Sequence, residues 1–317
     1  MEHVRLGDSQ LEVSRLCLGT WNMSGGEGWG PEDDQNSIRI IREVLDRGFN
    51  FIDSAHGYGK GHSEEVLGKA LDGRRDDAIV STKIVQCDPS DVEAQLDAAL
   101  KRLRSDYVDI YIVHWPRPSV SLEDFMGEMV KMKEKGKARE IGASNFNLEQ
   151  MKIALEFGAI SLQPPFNALW RIIDEDVLPF CRKNQIGVTP YSPLAQGLLT
   201  GRYTRGEEKT KGGPRDSNLL FKEPNFSRAK EGASVVDDVA DEIGATSAQT
   251  ALAWVLQTDG ITAPIVGVSR MGQWEDNVQA LDIELTGEQY DRISRAGLEV
   301  WNECFTDDDT MWGWKPK

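Results

Sequence analysis

The 317-residue chain has few of the residues that build several common kinds of functional site. It contains four histidines and four cysteines, with no C-x-x-C, H-x-H or H-E-x-x-H motif, so the ligand patterns of the usual zinc sites are missing. Positive charge is also scarce, because 36 Lys and Arg stand against 52 Asp and Glu and leave a formal charge of −16. Nucleic acid and anionic membrane surfaces repel such a polyanion. We therefore expect a small-molecule substrate, and no metal, nucleic-acid or membrane partner.

Long apolar runs and targeting signals are equally absent. The most apolar window, Tyr107–Trp115, contains Asp109 and is far shorter than the ~20 residues of a membrane-spanning helix. Residues Met1–Arg5 lack the cationic start and apolar stretch of a secretion signal. The cysteines are scattered, which is typical of a reduced compartment. These features predict a cytoplasmic location, and they leave the oligomeric state open.

Short runs rich in β-branched and aliphatic residues recur along the chain, and most precede a stretch of helical periodicity. Eight such runs are present: Arg15–Gly19, Asn50–Asp53, Ala78–Lys83, Tyr107–His114, Glu140–Ser144, Ala159–Gln163, Ile186–Tyr191 and Ala263–Val268. Eight strand-then-helix units predict an α/β fold, a closed (β/α)8 TIM barrel.

Helix signals separate these runs. The apolar spacing over 34–45 predicts a helix that stops at Gly48. Ser90 and Glu93 have the spacing of a capping box, and an apolar stripe follows at Val92, Leu96, Leu100 and Leu103. Gly136 and Gly158 are expected just beyond the C-termini of two further helices.

Two segments depart from the repeat. The first dozen residues predict a short β-hairpin with a turn at Gly7 and Asp8. After the seventh strand, the segment from Gly201 to about Ser234 has little periodicity, so we expect a long loop without regular structure, functioning as a lid or disordered. No repeat or linker divides the chain, and we expect residues 1–317 to form one barrel domain.

Polar side chains end three neighbouring strands. Asp53 ends the second strand and Tyr58 follows it, Lys83 ends the third, and His114 ends the fourth. Because the C-terminal ends of barrel strands surround one mouth, these side chains should converge there. Each also has an ordinary structural interpretation, as a loop cap, a pocket wall, a solvated strand end or a barrel-end histidine. Buried charges at neighbouring strand ends are rarely tolerated without partners, so their coincidence favours a functional site.

The four groups complement one another chemically. A free phenol has a pKa of about 10, too high for efficient proton donation at neutral pH. The Lys83 ammonium would lower the pKa of Tyr58, and Asp53 would keep Lys83 protonated and in place. His114 would orient a substrate oxygen by a hydrogen bond. The sequence therefore predicts Tyr58 as a proton donor to that oxygen.

The residues around Tyr58 also carry a resemblance to a known family. Gly48–Gly59 resembles the aldo-keto reductase signature, and Ser63–Gly68 is similar to the helix start that follows it. The four polar residues above fall on the family's catalytic tetrad. The resemblance runs from Val4 to about Leu285 and is closer to the bacterial and potassium-channel β-subunit branch than to the mammalian aldose reductase branch. It implies reversible reduction of an aldehyde, ketone or sugar carbonyl by a nicotinamide cofactor.

The same resemblance implies the cofactor contacts. They are Thr20, Trp21, Asp53, Ser144, Asn145, Gln163, Tyr191, Ser192, Pro193, Leu194, Gln196, Gly197, Arg202, Gly267, Ser269, Arg270, Gln273, Asp276 and Asn277. Ser144, Asn145 and Gln163 would bind the carboxamide, and Tyr191 would stack on its ring. Arg202 and nearby backbone amides would bind the pyrophosphate. Arg270 favours NADPH, with NADH as the alternative; Asp276 stands where the family more often has glutamate.

Aromatic residues are expected around the substrate. Trp21, His56 and Trp115 should line the mouth, where aromatic faces suit a neutral aldehyde, ketone or sugar. Three further aromatic candidates are Trp29, Trp170 and Phe221. The acidic closing stretch either forms a solvated tail or folds Trp312 and Trp314 back over the pocket.

Two other interpretations compete with that of a barrel reductase. A Rossmann dehydrogenase would use the glycines of Gly25–Gly30, but the third glycine of its motif would fall on Pro31 or Asp33. A cofactor-binding, redox-sensing regulatory subunit with little turnover is the second, and an intact tetrad is compatible with it. Turnover on a panel of aldehydes would separate that subunit from an enzyme.

Overall fold

The computed structural model describes residues 2–25, 33–209, 213–307 and 309–312. Its strands are β1 (His3–Arg5), β2 (Glu12–Ser14), β3 (Cys17–Gly19), β4 (Phe51–Asp53), β5 (Ile79–Val85), β6 (Val108–Trp115), β7 (Ala138–Ser144), β8 (Ser161–Gln163), β9 (Gly187–Val188) and β10 (Ile265–Gly267). Its helices are α1 (Asp34–Asp46), α2 (His62–Ala70), α3 (Val92–Leu103), α4 (Leu122–Glu134), α5 (Leu148–Glu156), α6 (Val177–Lys183), α7 (Asn225–Ile243), α8 (Ser247–Gln257), α9 (Met271–Val278) and α10 (Gly287–Cys304).

The eight strands from β3 to β10 form one parallel sheet in the order β10-β3-β4-β5-β6-β7-β8-β9. The two edges of this order meet, because the Thr262 amide donates to the Val188 carbonyl at 2.8 Å and the Ile265 amide donates to the Pro190 carbonyl at 2.8 Å. The sheet therefore closes on itself. Helices follow the strands in alternation, and the predicted (β/α)8 barrel is confirmed.

The predicted N-terminal hairpin is also present and covers the base of the barrel. β1 and β2 pair antiparallel, and Leu6 between them is fully buried among residues of the barrel interior. Gly7 has a φ of 58°, and a Cβ there would lie 2.2 Å from the carbonyl oxygen of Ile160. The base is thus filled by apolar side chains, which leaves the opposite end of the strands as the mouth.

The long loop after β9 is shorter than expected. Helix α7 begins at Asn225, so the segment without an α-helix ends about ten residues before Ser234. Half of the buried residues of α7 are small, namely Ala229, Gly232, Ala233 and Ala240, and they gave only a faint apolar pattern. α7 packs against α10, where a Cβ at Gly232 would lie 2.7 Å from Val300.

Two local expectations at helix ends had different outcomes. Gly136 and Gly158 adopt positive φ after α4 and α5, as predicted. The capping box at Ser90 was wrong: Ser90 lies in a 3-10 turn, where its amide donates to the carboxylate of Asp88 at 2.9 Å. Asp88 and the following Pro89 therefore start the turn earlier, although the apolar stripe of α3 is buried as predicted. Among the described residues, no helix is both long and apolar enough to span a membrane.

Candidate active site

The barrel mouth brings together polar side chains from the C-terminal parts of β4, β5 and β6. Asp53 and Lys83 are each only 2% exposed. The Lys83 ammonium donates to Asp53 Oδ2 at 2.6 Å, to the Ser54 carbonyl at 2.8 Å and to the Tyr58 hydroxyl at 3.0 Å. An ammonium has three donors, and all three are used in this arrangement. Lys83 therefore lies at a defined point between a carboxylate and a phenol.

The second oxygen of Asp53 is held as well. Asp53 Oδ1 accepts from the Ser81 hydroxyl at 2.7 Å and from Gln163 Nε2 at 3.0 Å. The Thr20 hydroxyl donates to the Asp53 carbonyl at 2.9 Å. Because Ser81 and Gln163 come from two different strands and hold the same oxygen, the carboxylate has one orientation, and that orientation points its other oxygen at Lys83.

Tyr58 reaches Lys83 because of an unusual turn. Gly59, Lys60 and Gly61 all have left-handed φ values, of 62°, 54° and 95°. This turn reverses the chain between β4 and α2 and leaves the half-buried Tyr58 ring facing the mouth. The ring stacks against Trp21, with centroids 6.0 Å apart. Two glycines in three positions keep the steric strain of the turn low, since Lys60 is its one non-glycine residue in the left-handed region.

His114 occupies an irregular position in β6. Ile84 pairs with Val113 and Val85 pairs with Trp115, so His114 is the additional residue of a β-bulge. Bulges redirect side chains, and this one places the imidazole edge-on to Tyr58, with ring centroids 5.9 Å apart.

The protonation states follow from burial and charge. Burial acts to lower the pKa of Lys83, but Asp53 and Tyr58 outweigh it and raise that pKa above its ordinary value. Burial, with a smaller effect of Lys83, lowers the pKa of His114 well below its ordinary value. At neutral pH the site therefore holds an ammonium and a neutral imidazole.

The pKa of Tyr58 differs from the sequence prediction. Burial raises it, and the Lys83 ammonium opposes that rise without cancelling it. The effect of Lys83 has the expected direction, but the pKa of Tyr58 lies above its ordinary value rather than below it. The sequence showed the neighbouring charge and not the desolvation of the phenol by the aromatic rings around it.

Beside the tetrad, the candidate carboxamide contacts form one hydrogen-bond network. The Ser144 hydroxyl donates to the Gln163 carbonyl at 2.7 Å, and Asn145 Nδ2 donates to Ser144 Oγ at 3.0 Å and to the His114 carbonyl at 2.8 Å. The Tyr191 hydroxyl donates to Asn145 Oδ1 at 2.8 Å. Amide and hydroxyl groups from three strand ends are thus adjacent to Tyr58 and His114.

The segment after β9 forms a concave turn. Ser192, Ala195, Gln196 and Gly197 have positive φ values of 54°, 47°, 54° and 95°. Successive backbone amides in such conformations form anion-binding concavities. Pro193 is buried and Leu194 half-buried beside them. Arg202 lies nearby but forms an ion pair with Glu207 at 2.7 Å.

Arg215 is a basic residue of this turn that the sequence interpretation missed. Its Nε donates to the Gln196 carbonyl at 2.9 Å, and its Nη2 would lie 3.9 Å from a Cβ built at Gly197. Gln196 Nε2 is buried without a partner among the described residues. The side chain of Arg215 therefore lies across the turn. The signal in the sequence was a basic residue directly after a Gly-Gly-Pro stretch.

The predicted adenosine contacts surround the start of α9. Gly267, Ser269, Arg270 and Gln273 are exposed, and the Ser269 amide donates to Gln273 Oε1 at 2.8 Å. In the part of the chain that the structure describes, Arg270 forms no ion pair.

Further along α9, Asp276 and Asn277 are less accessible. Asp276 Oδ1 accepts from Gln249 Nε2 at 2.7 Å, and Asn277 is buried. Asp276 is therefore tied to α8, whereas the exposed guanidinium of Arg270 is accessible to a ligand.

The aromatic candidates for the mouth divide into two groups. Trp115 is half-buried, and Trp312 folds back to meet Trp21 edge-to-face, with centroids 5.4 Å apart. Trp312 also hydrogen-bonds with the Tyr191 side chain. His56 beside Tyr58 is exposed.

Two other aromatic candidates were wrong. Trp170 and Phe221 are fully buried, Trp170 against Phe305 and Phe221 against Phe226. Neighbouring aromatic side chains enclose these two rings beneath the loops. They therefore do not line the mouth. Trp29 and Trp314 lie outside the described residues.

Comparison with known proteins identifies relatives over most of the chain. The model of the Aldo/keto reductase family matches residues 15–297. Aldo-keto reductase YhdN of Bacillus subtilis is 36% identical, with 87% of each chain covered. The NADH-specific methylglyoxal reductase of Escherichia coli is 32% identical, over 90% of this chain and 95% of that protein.

A plant protein and a solved structure complete the comparison. A probable voltage-gated potassium channel subunit beta of Arabidopsis thaliana is 34% identical, over 89% of this chain and 92% of that protein. The solved glycerol dehydrogenase AKR11B4 of Gluconobacter oxydans has a TM-score of 0.84 and 31% identity, over 95% of this chain and 96% of that one. These similarities confirm the resemblance to the bacterial and channel-subunit branch, and the chain belongs to the aldo-keto reductase family of oxidoreductases.

Proposed function

We propose that the protein reduces an aldehyde, ketone or sugar carbonyl to the alcohol, reversibly, with Tyr58 donating the proton. The observation that carries this proposal is the chain of contacts from Asp53 to Lys83 at 2.6 Å and from Lys83 to the Tyr58 hydroxyl at 3.0 Å. A phenol beside an ammonium can release a proton more readily than a phenol in an apolar pocket alone.

Each of the four side chains has a separate task in this reaction. His114, neutral and edge-on to Tyr58, donates a hydrogen bond that orients the carbonyl oxygen. Tyr58 gives its proton to the same oxygen as negative charge develops there. Lys83 stabilises the phenolate that remains, and Asp53 keeps Lys83 charged and in place. In alcohol oxidation the phenolate of Tyr58 takes the proton back.

The residues present fit a nicotinamide dinucleotide, which supplies the hydride when bound. Ser144, Asn145 and Gln163 offer donors and acceptors to the carboxamide beside Tyr58. The positive-φ turn at 195–197 and the adjacent Arg215 suit the pyrophosphate. The turn supplies amides, and Gln196 Nε2 supplies a buried donor that has no partner among the described residues.

NADPH is the proposed cofactor, with NADH as the alternative. The exposed guanidinium of Arg270 suits a 2′-phosphate. The Escherichia coli relative is named as NADH-specific, so the family as a whole does not decide the preference. A comparison of KM for NADPH and NADH measures it directly.

The substrate is proposed to be a small neutral carbonyl compound. Trp21, Trp115 and Trp312 place aromatic rings at the mouth, and aromatic faces with few fixed charges favour neutral ligands. The names of two relatives point to methylglyoxal and glycerol, both short and uncharged. We also propose that the protein works in the cytoplasm.

Turnover is the test of this function. We expect oxidation of NADPH with at least one carbonyl of a panel that includes methylglyoxal, glyceraldehyde and aromatic aldehydes. Tyr58→Phe should lower kcat by about 10²- to 10⁴-fold, since it removes the proton donor. The matched control is Tyr107→Phe, because Tyr107 also lies against a cation, with Arg75 Cζ 4.2 Å from its ring centroid, but at the base of the barrel.

The second candidate function is a redox-sensing regulatory subunit with little turnover. The similarity to a probable potassium channel subunit beta favours it. The rate of cofactor oxidation separates the two functions. A wild-type rate no higher than that of Tyr58→Phe, with NADPH still bound, would support the regulatory subunit and contradict the enzyme.

A further inference from the structure

Behind the tetrad lies a buried ion pair that the proposed reaction does not use. Glu64, near the start of α2, is fully buried, and its Oε2 accepts from Arg102 Nε of α3 at 2.6 Å. Its Oε1 accepts from the Thr82 hydroxyl at 2.6 Å. A buried carboxylate costs much free energy unless it is paired and hydrogen-bonded, and both oxygens of Glu64 are occupied.

One side of this ion pair acts on the strand that carries Lys83. Thr82 directly precedes Lys83 in β5, and side chains alternate across a strand. Lys83 points into the barrel mouth, so Thr82 points outward to α2, where it meets Glu64. The contact between Thr82 and Glu64 therefore restrains the strand at the point where Lys83 leaves it.

The other side acts on the turn that carries Tyr58. A Cβ built at Gly61 would lie 2.5 Å from Arg102 Nε, so the guanidinium packs directly against the backbone of Gly61. Gly61 is the last residue of the left-handed turn 59–61. Arg102 thus braces this turn, and Glu64 fixes the position of Arg102.

We propose that Glu64 is a positioning residue, which sets the distance between Lys83 and Tyr58 through Thr82 on one side and Arg102 on the other. The inference rests on the proposed function for its kinetic consequences. Glu64 belongs to the Ser63–Gly68 helix start, which follows the family signature in the sequence and for which the sequence indicated no role. Glu64 touches neither Lys83 nor Tyr58, so it acts on them only through its two partners.

The first test removes the Thr82 hydroxyl. Thr82→Val should lower kcat about 10- to 100-fold, since a misplacement of about 1 Å can cost 10²-fold, while KM for NADPH stays within about twofold. Thr82→Ser keeps the hydroxyl and should retain most of the wild-type kcat. The control is Thr258→Val at the base of the barrel, because Thr258 also bonds a neighbouring side chain, Tyr290, at 3.0 Å.

A pH profile separates positioning from simple loss of packing. When the ammonium is held less closely, it lowers the pKa of Tyr58 less, so the pH midpoint of alcohol oxidation should move upward in Thr82→Val and Glu64→Gln. Thr258→Val should leave the midpoint unchanged, even where it lowers the melting temperature.

These variants leave unchanged the titratable groups that face Tyr58, which are Lys83, Asp53, Cys17, His114 and Tyr191. Tyr111 is buried with a raised pKa to which Glu64 contributes, and its ionisation cancels when each protein is compared with its own Tyr58→Phe counterpart. The shift in midpoint therefore reports the position of the Lys83 ammonium.

A direct titration keeps the inference testable without turnover. Tyrosinate absorbance is measured against pH for the wild type and for Thr82→Val, each compared with its own Tyr58→Phe counterpart. We expect Tyr58 to ionise at higher pH in Thr82→Val. An unchanged titration together with an unchanged kcat in Thr82→Val would overturn the role of Glu64. Absence of turnover in the wild-type protein would instead overturn the proposed function. In that case the titration alone would decide the role of Glu64.

Discussion

Two buried carboxylates occupy opposite ends of the barrel. Asp53 at the mouth is 2% exposed, and Asp109 at the base is fully buried. Asp109 accepts from Arg75 Nη2 at 2.7 Å, from Arg139 Nη1 at 2.8 Å and from the Val80 amide at 2.9 Å. Both carboxylates accept hydrogen bonds from cations and from residues of β5. Only Asp53 lies in a candidate active site.

The two carboxylates, Asp53 and Asp109, differ in the cations that bind them and in what those cations contact. The cations at the base are guanidinium groups, and the phenol beside them, Tyr107, donates to Asp76 at 3.1 Å rather than sharing its hydroxyl with a guanidinium. At the mouth, Lys83 shares a hydrogen bond with the Tyr58 hydroxyl. In the proposed reaction, the buried ion pair at the mouth is useful because its cation touches a group that can exchange a proton and that faces an opening.

Lys83→Met removes the cation at the mouth. We expect kcat to fall about 10³-fold, while NADPH still binds, because the contacts proposed for the cofactor are retained. Fluorescence titration with NADPH and a turnover assay measure the two effects. Since this variant leaves Asp53 buried and unpaired, the double variant Asp53→Asn/Lys83→Met should recover stability and not turnover; a wild-type rate in either variant would contradict the role of Lys83.

Asp109→Asn makes the matching change at the base. The loss of two ion pairs and a buried acceptor should lower the free energy of unfolding by about 3 kcal/mol. Denaturant unfolding measures that loss, and kcat at a temperature where the variant is folded should equal the wild-type value. A large fall in kcat with little loss of stability would mean that the two ends of the barrel are not separate in function.

Arg270 extends the comparison to a cation with no carboxylate partner among the described residues. Arg270→Gln should raise KM for NADPH about tenfold, equivalent to about 1.4 kcal/mol, and leave KM for NADH unchanged. The exposed Arg295 of α10 provides the control, as Arg295→Gln. Equal changes for the two cofactors would remove the argument for NADPH.

The smallest expected effect concerns alkaline stability. The raised pKa of Lys83 means that the folded protein holds this proton more tightly than the unfolded chain. The stability that follows is complete at neutral pH and is lost as pH rises through the folded pKa. Guanidinium groups at the base do not titrate there. The melting temperature should therefore fall less at alkaline pH in the Asp53→Asn/Lys83→Met variant than in wild type, with both compared in a Tyr58→Phe background because Tyr58 also has a raised pKa, and equal falls would contradict the assignment.

The contacts of the mouth were accessible from the sequence because strand ends of a barrel must converge. Asp53, Lys83 and His114 lie at or near the C-terminal ends of neighbouring strands, so their proximity followed from the topology. The pKa of Tyr58 did not follow, since it depends on desolvation by rings that the sequence places far away, such as Trp21.

Loops were harder to predict than strand ends. Trp170 and Phe221 are buried by neighbouring aromatic rings rather than exposed at the mouth, and Arg215 reaches the turn at Gln196 through a loop without periodicity. Trp312 returns to the mouth after α10. Such contacts depend on long-range packing, which the spacing of residues along the chain does not encode.

Transfer of deuterium tests the central claim most directly. The protein is given NADPH with deuterium at both C4 positions of the nicotinamide and a carbonyl compound that it consumes, and the product is examined by mass spectrometry. We predict an alcohol with one deuterium on the former carbonyl carbon, formed far more slowly by Tyr58→Phe. Oxidation of the cofactor with no deuterium in the product, or equal rates in the two proteins, would contradict the account.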